Sequence, residues 1–410
     1  MSLALFFLIL IYFITTKEIN RLFLIAFTLL CWPNWFSVTL YFGFQFNLSL
    51  CRLLLFAYIL INIKKIPYYF LKSKLLYYAI YTIIMLFVNF TIWDLKLFLS
   101  ERYLIAFILA PIIANKLLIE SNFNSFMKGI SIGAIILLII SIVEIIFAKP
   151  IESFGFLSSF IVDTSTGINV IKEDIMTRGG FVRPTAGYWN NIILGLAFVS
   201  FAPFLMKYKS FGRITNYILL LMAGLTFSRT AILGLVIIFL INFKKISYKI
   251  KVLSAFLLFM FSIYFIRESI NTGYADQSLF SIQSRLGYIY ILLENYDISS
   301  LIFGFGIGEF HRLILLDIAA FLPADNSIAM LVFSQGIIGS ILLLIPFFKT
   351  LRMTYKFRDF YMFSFIFLTL ILIFISNSVI QDNKLFLLSI ILILYLNLKY
   401  GKYNNLHSRI

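Results

Sequence analysis

Charged side chains are scarce: Asp, Glu, Lys and Arg make up 13% of 410 residues, about half the share of an ordinary soluble domain. A chain so poor in charge cannot clothe a water-facing surface of its own size, which excludes a soluble globular protein. Histidine and cysteine number two each. Cys31 and Cys51 lie in apolar stretches and read as small buried hydrophobes, and nothing in their spacing resembles a metal site. The first apolar run lacks a basic leader and a small-residue cleavage site, so it reads as a span and not as a signal peptide.

What is present is apolar: 61% of residues, with 48 Phe and 23 Tyr. Apolar runs of 15 to 22 residues recur, the length that crosses a hydrocarbon core of about 30 Å. They are apolar all round instead of carrying a single i, i+3, i+4 stripe. Spans are predicted at 2–16, 22–42, 47–63, 75–93, 103–119, 129–148, 189–206, 214–227, 230–243, 252–266, 328–348, 360–376 and 384–398. The fold class is therefore all-α, a polytopic membrane bundle of 12–13 transmembrane helices forming one integral domain over 1–410. The first two spans set the spread in the count, 2–16 being short and 22–42 interrupted by Pro33.

Orientation follows from the basic residues of short loops. Segments 17–21, 64–74, 116–128, 207–213, 244–251, 349–358 and the tail after 398 carry 22 Lys or Arg, against three acids, Glu18, Glu120 and the adjoining Asp359. The opposite loops carry 11 Lys or Arg and 14 acids. The basic set belongs in the cytoplasm, and this accounts for the net charge of +16 with no need of nucleic acid.

Two loops on the other face are large, 149–188 and 267–327. The first holds Asp163, Glu173, Asp174, Arg178 and Arg183; the second holds Arg285, Glu309, His311, Arg312, Asp317 and Asp325. Long connections of this kind are usually functional or disordered. In the second, Leu286, Ile289, Tyr290 and Leu293 predict a short amphipathic helix within 285–303, lying on the membrane surface. Gly304, Gly306 and Gly308 then predict a tight turn. Inside the spans, Arg52 and Glu144 are ions at membrane depth, read as a structural pair or as lining of a groove. Tyr188 and Trp189 read as interface belt or as sugar-stacking rings.

Four segments carry a family resemblance: RPTAGYWNNIILG at 183–195, LTFSRTAILGL at 225–235, SRLGYIYILLENYDISSLIFGFGIGEF at 284–310, and ADNSIAMLVFSQGIIGSILLL at 324–344. In order, spacing and common outward face they resemble the bacterial O-antigen polymerase and O-antigen ligase superfamily. The resemblance implies a GT-C-like glycosyltransferase in the bacterial cytoplasmic (inner) membrane, its site facing the periplasm. It would transfer a growing glycan from undecaprenyl diphosphate to a sugar hydroxyl of the next lipid-linked unit. Ligases of the superfamily carry a His before the Asn of the fourth motif; here that position is Asp325, which favours the polymerase branch. The implied partners are the lipid-linked donor and acceptor, the bilayer, and a chain-length regulator and flippase of the same pathway.

The chemistry asks for cations against a diphosphate and a base against a hydroxyl. Arginine suits the first, its planar fork binding phosphate oxygens in pairs. Arg229 leads, in a hairpin too short for a surface loop, and the resemblance implies its contact with the diphosphate. Arg285 and Arg183 follow, with Arg178 and Asn191 as further substrate contacts; the alternative for the arginines is snorkelling to headgroups. Asp325 is the candidate general base, with Asn326 orienting sugar or carboxylate, and Glu309 and His311 are its rivals. Asp325 and Asn326 also suit a helix N-cap. With arginines supplying positive charge no metal or other cofactor is required, and no Asp-x-Asp pair occurs. The rival functions are the ligase, acting on lipid A core, and a flippase for the same lipid-linked unit. No repeated halves of the transporter kind are visible.

Overall fold

A computed structural model gives the fold. It describes residues 2–31, 37–41, 45–88, 103–149, 191–208, 229–242, 298–304, 327–375 and 383–407. Shorter pieces are described at 95, 98–99, 177–178, 181–182, 184, 220–221, 223–226 and 306. These residues form a helical bundle with two short antiparallel hairpins, the exceptions to an all-α fold.

The first departure from the predicted spans lies near the N-terminus. Helices α1 (Ser2–Thr15) and α2 (Glu18–Cys31) form a tight pair. Arg21 folds back so that its Nε and Nη2 donate to the carbonyls of Phe13 and Ile14 at 3.0 and 2.6 Å, closing the C-terminus of α1 with a cation. The predicted span 22–42 is not one helix. Its helical part ends at Cys31, and β1 (Ser37–Tyr41) pairs with β2 (Gln45–Ser49), Ser37 facing Ser49. Pro33 cannot donate to a continuing helix, and the β-branched and aromatic run of β1 suits extended backbone. Ser49 then caps α3 (Leu50–Ile61), its Oγ accepting from the Arg52 N–H at 3.3 Å. Arg52 thus sits in the first turn of α3, within the predicted span.

Next come α4 (Ile66–Leu71) and α5 (Leu76–Val88), bent by 104° against each other if the 3₁₀ turn at 63–65 is taken with α4. Helices α6 (Leu104–Lys116) and α7 (Glu120–Phe147) follow. The segment 116–128, read as a loop, is mostly the first two turns of α7, because nothing from Glu120 onward breaks a helix. Two-residue strands β3 (Thr177–Arg178) and β4 (Phe181–Val182) pair next. Then come α8 (Asn191–Tyr208), α9 (Arg229–Asn242), the short α10 (Ile298–Phe303), α11 (Ser327–Lys356), α12 (Phe360–Ile375) and α13 (Asn383–His407), the last running past its predicted end at 398.

Among the described residues three helices are long and apolar enough to cross a membrane, Glu120–Phe147, Ser334–Lys356 and Asn383–Lys402, or four if the bent α4–α5 pair is one span. Shorter apolar helices at Leu50–Ile61, Leu104–Lys116 and Phe360–Ile371 fall within other predicted spans, and Leu194–Tyr208 runs two residues past the span predicted at 189–206. The predicted span 252–266 lies outside the described residues. Helix α13 is the axis: 83% of its membrane-length window is buried, against 50% for the other two, as its all-round apolar sequence requires. Helices α2, α6 and α11 pack on it.

Association of helices in lipid relies on close fit more than on water exclusion, and glycines supply that fit. On α7, a Cβ at Gly129 would stand 2.4 Å from the Phe23 carbonyl oxygen, and one at Gly133 would stand 3.3 Å from the Cys31 Cβ. The backbone of α2 therefore lies directly on α7. Cys31 and Cys51 are both buried and not joined in a disulfide, in keeping with their reading as hydrophobes. Glu144 is fully buried in α7.

One end of the bundle gathers the basic segments. Glu18 accepts from Lys116 at 2.9 Å and from the Tyr58 hydroxyl, with Arg21 at 3.7 Å. Asp359 accepts from Lys207 and from the Tyr400 hydroxyl. The Phe123 ring lies 4.7 Å from both Tyr208 and Tyr395, and the Lys399 ammonium sits over all three rings at 5.6 to 6.0 Å. The C-termini of α6, α8, α11 and α13 and the N-termini of α2, α7 and α12 thus meet at one face. Opposite charges and cation–π contacts hold it together.

Candidate functional site

The other end is defined by where helices begin. Helices α8 and α9 run parallel and in contact: Gly195 faces Thr226 and Ala231, where a Cβ would stand 2.5 and 2.9 Å away, and one turn on Gly234 faces Val199 at 2.4 Å. The buried Thr226 hydroxyl donates to the Ala223 carbonyl at 2.7 Å, tightening the turn just before α9. Because Tyr208 at the far end of α8 belongs to the basic face, α8 and α9 open at the opposite end. Asn191 is the first residue of α8, and Arg229 is the first residue of α9. The structure thus brings the openings of these two candidates' helices side by side, with both positive helix ends directed the same way.

Helix α11 opens at that end too. Its C-terminal half is fixed at the basic face by Asn397 donating to Thr350 at 3.2 Å and by Phe357 stacking on Tyr400 at 5.3 Å. The helix then runs back about 30 Å over the 20 residues from Lys356 to Gly336. Its first residue, Ser327, follows directly on Asp325–Asn326. Arg178 pairs with Phe181 across the β3–β4 hairpin. Arg183, Arg285, Glu309, His311, Asp325 and Asn326 lie outside the described residues, as do 285–297 of the predicted amphipathic helix.

The described part of the second large loop holds a feature that sequence reasoning anticipated only in outline. Helix α10 ends on Gly304 and Gly306, at φ +84° and +112°, the turn expected from the glycine run. This turn is docked on α11, and α11 is broken where it docks: Gly336 has φ +66° and ψ −179°. Only glycine fits either side of the joint. A Cβ at Gly304 would stand 2.4 Å from the Gly336 nitrogen, and one at Gly336 would stand 2.2 Å from the Ile302 carbonyl oxygen.

The carbonyls released by the break find partners. Ser334 accepts from the Gly306 N–H at 3.0 Å; beyond the break, the Ser340 hydroxyl donates back to the Gly336 carbonyl at 2.7 Å, an ordinary bond within the helix. The Tyr81 hydroxyl, reaching across from α5, shares its one proton between the carbonyls of Phe303 (2.5 Å) and Gln335 (2.9 Å). Irregular backbone at membrane depth persists only where its polar groups are matched in this way or line a cavity.

Tyr81 and Gln335 are the two residues that the sequence reading missed. Gln335 is fully buried, and among the described residues neither its Nε2 nor its Oε1 has a hydrogen-bond partner. Leaving a polar group in that condition costs about 1–3 kcal/mol. The signal in the sequence was an amide inside an apolar run, VFSQGIIGS. Tyr81 gave none, being one of 23 tyrosines.

Compared with protein-family models and with curated proteins, the chain matches none.

Proposed function

We propose that the chain is a membrane glycosyltransferase of the GT-C-like class. In this reading it polymerises undecaprenyl-diphosphate-linked repeat units, of O-antigen, capsule or exopolysaccharide, at the outer face of the bacterial cytoplasmic membrane. Arg229, with Arg285 and Arg183, holds the diphosphate of the donor, and Arg178 and Asn191 extend the contact. Asp325 takes the proton of the acceptor hydroxyl while Asn326 orients it, and Glu309 and His311 are the alternative bases. The bond broken joins the sugar's anomeric carbon to the diphosphate, the bond formed joins that carbon to the acceptor oxygen, and the lipid diphosphate leaves with its electron pair. A chain-length regulator and the flippase of the same pathway are the implied partners.

The observation that supports this reading is the opening of α9 at Arg229 beside that of α8 at Asn191, at the end away from the basic face. Two positive helix ends at one place, one of them opening on an arginine, favour a multiply charged anion. The test is Arg229→Ala in a strain lacking its own copy of the gene. The expected outcome is loss of polymer, by at least about a hundredfold in a site built on charge stabilisation, with wild-type amounts of protein in the membrane. Polymer of wild-type length and yield would overturn the donor assignment. Deletion of the gene is expected to leave single repeat units on the surface, whereas full chains stranded on the carrier would indicate a ligase.

A further inference from the structure

We propose that the Gln335 carboxamide binds a neutral hydroxyl group of the ligand, a sugar hydroxyl of the glycan, at the break in α11. The inference rests on the glycan reading given above. It starts from an imbalance at the break. Both released carbonyls named there are matched, those of Ser334 and Gln335 by Gly306 and Tyr81. The amide beside them, 0% exposed, has no partner for donor or acceptor among the described residues. Methionine or leucine would fill similar volume with no such penalty.

Space is kept for the amide. Gly339, one turn further, lacks the Cβ that would stand 2.6 Å from the Gln335 Cβ, 2.7 Å from Tyr81 Cε1 and 3.2 Å from Gln335 Oε1. The carboxamide therefore lies on a cleared face of α11 beside the edge of the Tyr81 ring. Its chemistry selects the partner. An amide offers two donors and an acceptor without net charge, and among the described residues the groups close to it, a phenol ring and glycine backbone, bring no cation for a phosphate. An acyl or polyprenyl chain could match neither atom. A hydroxyl donates and accepts, and neighbouring sugar hydroxyls do both at once. Discontinuous membrane helices are where such sites are built.

The amide stands eight residues inside the start of α11 at Ser327, about 12 Å along the axis, so it positions a sugar unit away from the reacting bond. Gly304 and Gly306 are docked on the same break in α11. Among the bonds described, one backbone hydrogen bond and a shared tyrosine proton hold that turn to α11.

The test uses Gln335→Met and Gln335→Leu in the full chain, reconstituted in lipid nanodiscs and assayed with lipid-linked repeat units extracted from the host. Thermal unfolding is measured alongside. The expected result is heat stability equal to or above wild type, with about a tenfold rise in half-saturating substrate concentration and a smaller change in kcat. Unchanged half-saturation in a stable variant would overturn the proposal, the amide then being served by internal water alone. Failure of both variants to fold would overturn it as well, by showing an internal structural partner. Arg229→Ala run in parallel separates the two readings. No transfer by the wild-type protein sinks the glycan reading, activity retained in Arg229→Ala sinks only the donor assignment of that residue, and wild-type half-saturation in a stable Gln335→Met sinks only the present inference.

Discussion

Tyr81 shows what a single hydroxyl does when it is aimed at two carbonyls from different elements. Its partners, Phe303 and Gln335, lie 222 and 254 positions away in the chain, so no local pattern could have marked it. The same distance explains why Gln335 was passed over: the sequence displayed an amide in an apolar run, but not the glycine turn packed beside it. The turn was legible in Gly304 and Gly306, and the fourth motif contains Gly336 and Gly339. What could not be read was that the first pair docks onto the second. Tyr81→Phe keeps the ring and removes the proton, leaving two carbonyls short of a donor at a cost of about 1–2 kcal/mol. The expected outcome is that the Gly306 amide, bonded to Ser334 across the same joint, exchanges its hydrogen roughly tenfold faster or more. Exchange at the wild-type rate would remove Tyr81 as the pin of that joint.

Helices were read well where apolar runs ended in charge, and poorly where an end depended on backbone chemistry. The predicted span at 189–206 became a helix at Asn191–Tyr208, and 230–243 became Arg229–Asn242. The predicted span at 22–42 failed because hydropathy cannot tell an apolar helix from an apolar hairpin. Pro33 and the extended preference of Ser37–Tyr41 decided it. The contact of α2 with α7 was also hidden, since Gly129 and Gly133 look like ordinary members of an apolar run until a partner backbone is laid on them. Gly129→Val forces branched atoms into a place where a Cβ alone would already be 2.4 Å from the Phe23 carbonyl oxygen. Backbone cannot swing aside as a flexible side chain does, so destabilisation of about 3 kcal/mol is expected, the upper end for overpacking. Thermal unfolding of the purified chain in detergent measures it, and a wild-type midpoint would mean that α2 and α7 are not packed as described.

For the molecule as a whole, what matters is that its two ends differ in kind. One is closed by Glu18 with Lys116, by Asp359 with Lys207 and Tyr400, and by the rings around Lys399. The other is where α8, α9 and α11 open. This polarity was visible in the sequence as 22 basic residues in one set of loops against 11 in the other. The structure adds that residues of the basic set touch one another across the bundle. A bilayer about 30 Å thick set between these ends would leave α10 and the basic face in different compartments. The native thiols make this testable, because Cys31 and Cys51 are buried and stay silent toward a membrane-impermeant maleimide. Reporters are placed at Ile298, 77% exposed at the start of α10, and at Lys356, exposed at the C-terminus of α11. Ile298→Cys is expected to label in intact cells, and Lys356→Cys only after the membrane is permeabilised, following the sidedness that basic loops impose. Labelling of both from the same side would show that the two ends do not straddle the membrane. If both label only after permeabilisation, a site built at the openings of α8, α9 and α11 would face the cytoplasm, and a lipid-linked substrate presented from outside could not reach it.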